Sequence, residues 1–197
     1  RYFTVNALYV DQDGTVTDPL GGLVDIAARK IRFIDNASDR IREDYLRILR
    51  FFRFHAWYGD AHAGIDAEGL AACAELAEGI ETLSKERIGH EILKLLASEN
   101  PAPSLATMEI SGILARVMPG ATALTVAPLV HFEQELAVTP DPIRRLAAIG
   151  GEDPARNLRL SKVEQRRLAT LSDGIASAAQ MPELAYRLGV TAALDAA

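Results

Sequence analysis

The segment that most constrains this chain is residues 43–58, which read Glu-Asp-Tyr-Leu-Arg-Ile-Leu-Arg-Phe-Phe-Arg-Phe-His-Ala-Trp-Tyr. Its pattern predicts one continuous helix that ends at Gly59, and apolar side chains surround most of that helix, as in a buried or groove-lining helix. Arginine nevertheless recurs at every third position, which gives a ridge made of Arg47, Arg50 and Arg53. Guanidinium groups on so apolar a helix need partners, and phosphate, carboxylate or a nucleobase edge would each serve.

Two residues at the start of this helix carry complementary hydrogen-bonding groups. In a continuous helix, Asp44 and Arg47 are expected side by side on one face. The carboxylate accepts from exocyclic amines and the guanidinium donates to ring nitrogens and carbonyls, so the pair could read a base edge. Spacing alone favours an ordinary intrahelical ion pair, because such pairs are common. His55 is expected to pack or to lie exposed, since no second His or Cys completes a metal site with it.

Basic residues are concentrated around the same helix. Residues 29–53 contain eight basic and four acidic side chains, a local net charge of +4, whereas the whole chain carries −6. The overall charge argues against a general polyanion binder. About half of the residues are hydrophobic, which is enough for one sizeable core or two small ones. No apolar run approaches the roughly 20 residues that span a bilayer. The single cysteine, Cys73, is expected to pack as a small hydrophobe, so we expect a soluble, cytoplasmic protein that makes no membrane contact.

The first 35 residues predict short β structure. Residues 3–10 are rich in β-branched and aromatic side chains, and the turn sequence Asp11-Gln12-Asp13-Gly14 before residues 15–17 indicates a hairpin. Residues 23–28 can form one or two helical turns, and residues 30–34 have the composition of another strand. Together these segments predict the edge of an antiparallel or mixed sheet.

From residue 39 onward the pattern is almost wholly helical. Ser84 is expected to cap a helix, residues 161–164 form a capping-box pattern, and Asp141-Pro142 is typical of a helix start. A last helix is predicted from Met181-Pro182 to Gly189. The predicted fold class is therefore mainly α with a small β element (α+β), a short sheet followed by a helical array.

Four segments, in order along the chain, carry a resemblance to a known family. They are residues 1–8 (Arg-Tyr-Phe-Thr-Val-Asn-Ala-Leu), 18–25 (Asp-Pro-Leu-Gly-Gly-Leu-Val-Asp), 40–50 (Arg-Ile-Arg-Glu-Asp-Tyr-Leu-Arg-Ile-Leu-Arg) and 83–88 (Leu-Ser-Lys-Glu-Arg-Ile). They closely resemble consecutive motifs of the bacterial tRNA nucleotidyltransferase (CCA-adding enzyme) and poly(A) polymerase family of class II nucleotidyltransferases. The later helices are compatible with that family but carry less of the resemblance.

The resemblance implies roles for particular residues. Glu43-Asp44-x-x-Arg47 would be an amino-acid template on which the base of an incoming CTP or ATP pairs. Basic positions of the same helix could meet the triphosphate or the RNA end, and the opening segment matches a nucleotide-binding motif. The nucleotide-binding residues implied in this way are Asp44, Arg47, Arg50, Arg53, Arg1 and Asn6. The chain departs from the family at Tyr2, where the family usually has an aspartate associated with the ribose hydroxyl.

The resemblance also implies a domain organisation. Residues 1–35 would form the distal edge of the catalytic head, or palm, and its sheet. Residues 36–100 would form the neck, with nucleotide-selecting and RNA-binding helices, and residues 101–197 a truncated helical body. Family catalysis resembles two-metal phosphoryl transfer, so Mg²⁺ is expected in the intact enzyme on an Asp-x-Asp pair upstream of Arg1. The Asp-x-Asp at residues 11–13 is better explained as a hairpin turn.

The function implied is part of a template-independent RNA nucleotidyltransferase. It would add CMP or AMP to RNA 3′ ends, with tRNA and nucleoside triphosphates as partners and with RNA held mainly through its backbone. No catalytic residue and no metal ligand is expected in this chain, so we predict that it transfers no nucleotide by itself. The alternative is a non-catalytic helical RNA-binding or scaffolding module.

Overall fold

The structure is a computed structural model that describes residues 1–177 and, beyond them, residues 183, 187–189, 193 and 195. The described chain is mainly helical with one two-stranded sheet. The predicted fold class is therefore confirmed. Among the described residues, no helix is both long enough and apolar enough to cross a lipid bilayer.

The predicted hairpin is present near the amino terminus. Strand β1 (Tyr9–Val10) pairs antiparallel with β2 (Val16–Thr17), in the register Tyr9 to Thr17 and Val10 to Val16. The connection begins where the Asp11 N–H donates to the Thr15 carbonyl at 3.0 Å. Gly14 has a φ of +80°, a conformation that glycine adopts without steric cost. The Asp-x-Asp sequence thus lies in a hairpin turn, as predicted.

The strands predicted over residues 3–10 and 30–34 are largely wrong, since of these residues only Tyr9 and Val10 form a strand. Residues 4–6 form a 3-10 helix, Thr4–Asn6, because the Asn6 side chain accepts from the Phe3 N–H at 3.3 Å and the chain turns there. The hydroxyl of Thr4 donates to the buried carboxylate of Asp25, which fixes the turn against the next helix. Residues 30–34 contribute one isolated bridge, between Phe33 and Phe3, instead of a strand.

Helices account for most of the remaining described chain. They are α1 (Gly22–Ala27), α2 (Ala37–Glu43), α3 (Leu46–Tyr58), α4 (Ala67–Glu75), a 3-10 helix (Ala77–Thr82), α5 (Lys85–Leu96), α6 (Ala102–Ile110), α7 (Ile113–Val117), α8 (Val126–Glu135), α9 (Pro142–Ile149), α10 (Pro154–Asn157) and α11 (Lys162–Ala176).

Several helix starts follow from the sequence signals. The Ser84 hydroxyl accepts from a backbone N–H in the first turn of α5, and Ser161 and Glu164 form a reciprocal capping box at α11. Asp141 accepts two N–H groups at the start of α9, where Pro142 is the first helical residue. These caps are confirmed. The helix predicted from residue 181 lies largely outside the described residues.

The buried apolar side chains form one continuous cluster that runs from Phe3 to Leu171. Helix α3 lies within it and packs against α5 and α6. Phe33 and Phe51 stack with ring centroids 5.3 Å apart, and Phe3 lies 4.9 Å from Phe33, so the amino-terminal segment is held against α3 by aromatic contacts.

A buried arginine ties α9 to the end of α5. Arg145 is 1% exposed and donates to the carbonyl of Leu96, the last residue of α5, at 2.6 Å, and to the carbonyls of Ser98 and Glu99 just after it. Its Nε donates to Glu133 of α8 at 2.9 Å, so the buried charge is paired. These contacts satisfy carbonyls at a helix end and fix the position of α5.

Candidate nucleotide-binding site

The helix predicted over residues 43–58 is broken at Asp44. Helix α2 ends at Glu43, and α3 begins at Leu46. Asp44 itself has extended backbone angles, φ −160° and ψ 106°. Its side chain accepts from the Leu46 N–H at 3.1 Å, and its carbonyl accepts from the Arg47 N–H at 3.0 Å. The prediction of a continuous helix is therefore wrong at this position, because an aspartate that bonds local N–H groups offers the backbone an alternative to helix.

The break also corrects the predicted side-by-side placement of Asp44 and Arg47. The Asp44 carboxylate pairs with Arg87 of α5, whose Nη2 lies 3.0 Å from one carboxylate oxygen and 2.9 Å from the other. Arg47 pairs instead with Glu43, the last residue of α2, and donates to the Arg40 carbonyl at 2.8 Å. The hydrogen bond from Arg47 holds the pKa of Glu43 below its usual value. Each of the two proposed base-reading groups thus has its own partner.

The two later arginines of the ridge converge on one carboxylate. Arg50 Nε lies 2.9 Å from one oxygen of Glu91, and Arg53 Nε lies 2.6 Å from the other. The Glu91 side chain is only 5% exposed. Burial opposes the charged form of Arg50, but the hydrogen bonds and charge interactions with Glu91 and Tyr2 together outweigh it, so the pKa of Arg50 lies above its usual value. Two cations on one carboxylate leave a positive charge beside α3.

Sequence reasoning did not identify Glu91 or Arg87 as part of this site. A signal for Glu91 was available, because it occupies the same stripe of α5 as the buried residues Ile88, Ile92 and Leu95. A carboxylate on a buried stripe requires a cationic partner. Arg87 lies in the fourth segment that resembles the family, residues 83–88, but nothing there pointed to Asp44, since the Arg87 side chain is 48% exposed and its partner is 43 residues away.

Tyr2 lies against the arginine ridge. Its hydroxyl accepts from Arg50 Nη1 at 3.3 Å, and the Cζ atoms of Arg47 and Arg50 lie 5.2 Å and 5.4 Å from its ring centroid. The ring also packs edge-on against Phe3 and Phe54. Tyr2 therefore offers cation–π contacts to α3 at the position where the family usually has a carboxylate.

The remaining predicted site residues have local partners. Arg1 donates to the Leu8 carbonyl, and its Cζ lies 4.2 Å from the centroid of the Tyr9 ring. Asn6 accepts from the Phe3 N–H within its own turn. The structure thus brings Arg50 and Arg53 together on Glu91, places Asp44 and Arg47 within one junction, and leaves Arg1 and Asn6 engaged with the first nine residues.

Two other residues singled out by the sequence are packed. His55 is 6% exposed, with Nδ1 2.8 Å from the Ser104 hydroxyl, and its burial lowers its pKa. Cys73 is fully buried, which raises the pKa of its thiol and fits a small hydrophobic residue. Among the described residues there is no group of three or more His, Cys, Asp or Glu side chains that could hold a metal ion.

Comparison with known proteins finds similarity to an RNA-binding family and to CCA-adding enzymes. The family described as "Probable RNA and SrmB- binding site of polymerase A" matches residues 64–124, which contain α4 to α7 and hence both Arg87 and Glu91. The mitochondrial CCA tRNA nucleotidyltransferase 1 of Mus musculus is 42% identical over 100 residues, 51% of this chain and 23% of that protein. The Multifunctional CCA protein of Pseudomonas aeruginosa (strain LESB58) is 37% identical over 130 residues, 65% of this chain and 31% of that protein.

A solved structure extends the match to the whole chain. The crystal structure of the Bacillus stearothermophilus CCA-adding enzyme in complex with CTP superposes with a TM-score of 0.76 and 25% identity, covering 100% of this chain and 51% of that chain. These findings confirm the resemblance to the RNA nucleotidyltransferase family. The relatives named above are CCA-adding enzymes. It spans about a quarter to a third of the length of the curated relatives it matches.

Proposed function

We propose that this chain is the nucleotide-selecting and RNA-binding part of a template-independent RNA nucleotidyltransferase that adds CMP and AMP to the 3′ ends of tRNA. The observation that carries the proposal is the junction between α2 and α3. There an acceptor, Asp44, and a donor, Arg47, are three residues apart and held by different partners. In this proposal residues 1–35 are the edge of the catalytic head, 36–100 the neck and 101–197 the body.

The chemistry of the bases explains why such a pair would select C and A. Cytosine and adenine each carry an exocyclic amine that a carboxylate can accept, and each has an adjacent ring nitrogen that a guanidinium can donate to. Uracil and guanine carry a carbonyl oxygen at the position of that amine, which repels a carboxylate. Asp44 and Arg47 together therefore suit CTP and ATP as the nucleoside triphosphates. Similarity to a CCA-adding enzyme solved with CTP supports this assignment.

The positive charge beside α3 suits the rest of the substrate. Arg50 and Arg53 share one carboxylate, so their combined charge exceeds that of their partner and can attract a triphosphate or the RNA backbone. Arg1 and Asn6 belong to the proposed head. We propose that they contact the nucleotide after releasing the Leu8 carbonyl and the Phe3 N–H. Tyr2 has no carboxylate, so it lacks the acceptor that an aspartate at this position would offer to a ribose hydroxyl.

Chemical transfer requires groups beyond those described. Enzymes of this reaction class use Mg²⁺ to steady the triphosphate and to activate the attacking hydroxyl. The described residues do not fit a magnesium site, since their one Asp-x-Asp sequence lies in the hairpin turn. We therefore derive no catalytic step from this chain. The proposed reaction needs a carboxylate pair from outside the described residues. We also propose that the protein acts in the cytoplasm.

The test uses a full-length protein that contains this chain, a tRNA that lacks its terminal CCA, and labelled CTP or ATP. Incorporation of both nucleotides supports the proposed function, and incorporation of ATP alone assigns poly(A)-type activity. If neither nucleotide is incorporated while the tRNA still binds, the non-catalytic RNA-binding module is the correct reading. Asp44→Ala and Arg47→Ala should each relax the choice of base without unfolding the protein, as circular dichroism would show.

A further inference from the structure

The carboxylate of Asp44 is fixed from two directions. Its Oδ1 atom accepts from the Leu46 N–H at 3.1 Å and from Arg87 Nη2 at 3.0 Å, and its Oδ2 atom accepts from the same Nη2 at 2.9 Å. A carboxylate offers about four acceptor positions, two on each oxygen. These three contacts occupy both positions on Oδ1 and one on Oδ2, so one acceptor position on Oδ2 is left for a ligand.

The helix that carries Arg87 is held on two sides. One turn further along α5, Glu91 binds two arginines of α3. Between Arg87 and Glu91, Gly89 lies so close to the end of α10 that a Cβ atom at this position would be 1.9 Å from the Leu158 carbonyl oxygen. The backbone below Arg87 is therefore fixed relative to α3, although the side chain itself is half exposed. Such a helix can hold a guanidinium at a constant place beside Asp44.

We propose that Arg87 is a positioning residue for nucleotide selection, which acts by keeping the Asp44 carboxylate in one orientation. This inference rests on the proposed function. With Arg87 in place, the open acceptor position is constant and suits the amine of cytosine or adenine. Without Arg87, only the Leu46 N–H holds the carboxylate. The carboxylate can then rotate and turn toward Arg47. Both groups that would meet the base are then lost, so uracil and guanine are rejected less strongly.

The ion pair itself contributes little to stability. The Arg87 side chain is 48% exposed and that of Asp44 is 26% exposed, and water screens the attraction between charges in pairs of this kind. A role in base choice and a role in folding therefore predict different results. Removal of Arg87 should change selectivity while the melting temperature barely moves.

The experiment measures kcat/KM for CTP, ATP, UTP and GTP with a full-length protein that contains this chain and with a tRNA lacking CCA. In Arg87→Ala, we expect the preference for CTP and ATP over UTP and GTP to fall about tenfold, the effect of one hydrogen bond. Arg87→Lys, which can make a single contact, should fall between wild type and alanine. The matched control is Arg159→Ala, since Arg159 makes an exposed pair with Glu86 of the same helix and should leave selectivity unchanged.

The outcomes separate this inference from the proposed function. No incorporation by the wild type refutes the proposed function. If the wild type is selective and Asp44→Ala relaxes the choice of base, but both Arg87 variants keep full selectivity, the proposed function stands and the role of Arg87 is refuted. If Arg87→Ala fails to fold, Arg87→Lys decides alone: relaxed selectivity supports the role and unchanged selectivity refutes it.

Discussion

Removing the carboxylate of Glu91 tests how the arginine ridge of α3 is held. Glu91 lies on α5 with 5% of its side chain exposed, and its two oxygens accept from Arg50 and Arg53 at 2.9 Å and 2.6 Å. Glu91→Ala removes both hydrogen bonds and leaves two cations without their partner. Glu91→Gln keeps the shape and one acceptor oxygen, but places an amide N–H₂ donor opposite one of the arginines.

The magnitude follows from the number of bonds and from the exposure of the partners. Each hydrogen bond between charged groups contributes about 1.5–3 kcal/mol, and breaking a fully buried ion pair costs about 3–5 kcal/mol. The Arg50 and Arg53 side chains are 29% and 17% exposed, so water can recover part of the loss. We therefore expect Glu91→Ala to lower the free energy of unfolding by about 2–4 kcal/mol. Glu91→Gln should lower it by about 1–3 kcal/mol.

The assay is urea denaturation of the 197-residue chain at pH 7, followed by circular dichroism. Glu86→Gln is the matched control, because Glu86 lies on the same helix but pairs with Arg159 at 3.3 Å while both side chains are more than 60% exposed. The control should cost less than about 1 kcal/mol. A double-mutant cycle with Arg53→Met isolates the pair. If Glu91→Ala costs no more than the control, Glu91 does not hold the ridge and the packing argument is wrong.

Two further perturbations test the packing of α5 and α3. Gly89→Ala should destabilise the chain by about 1–3 kcal/mol or more in urea denaturation, because its Cβ atom would meet the Leu158 carbonyl oxygen at 1.9 Å and force the helix away. His55 has a pKa below its ordinary value of 6.5 because it is buried. The unfolded state therefore binds the proton first, so stability is complete above pH 6.5 and falls as the pH drops through the folded-state pKa. The stability of His55→Asn should lack this component of up to about 1.4 kcal/mol per pH unit.

Both measurements have controls within the chain. His90→Ala changes the exposed neighbour of Gly89 and should leave stability within about 0.5 kcal/mol of wild type. A comparable small change in Gly89→Ala would show that the close approach of α5 to residue 158 is wrong. For the pH series, His62→Asn replaces an exposed histidine four residues after α3, and it is the control substitution against which the slope of His55→Asn is compared. Identical slopes for wild type and His55→Asn would exclude His55 as the titrating group.

Local sequence signals predicted much of this fold. The caps at Ser84, Asp141 and Ser161 and the turn at Gly14 depend on a few adjacent residues, and each is found where the sequence places it. The apolar content of α3 also predicted its burial correctly. The strand predicted over residues 3–10 is confirmed only at residues 9 and 10, because β propensity at residues 3–6 yields to side-chain contacts that turn the backbone.

The candidate site was less predictable, because its partners lie far apart in the chain. Helical spacing gave the correct three-residue ridge but could not show that Arg50 and Arg53 share Glu91, about 40 residues later. The break at Asp44 was missed for a similar reason. Residues 43–47 contain no glycine or proline, so the local capping contact of Asp44 is a weak signal, and the extended backbone at Asp44 is accompanied by a bidentate contact with α5. Tertiary contacts here override a strong local helix pattern.

The break has a chemical consequence that a continuous helix would have prevented. On an unbroken helix, Asp44 and Arg47 would lie within reach of one another and satisfy each other's charge, which would leave little capacity for a base. The structure replaces that pair with two separate ones, through Arg87 for the acceptor and through Glu43 for the donor. Neither partner is itself a member of the proposed reading pair. Under the proposed function, base choice therefore depends on α5, which lies inside residues 64–124, the region that matches an RNA-binding family.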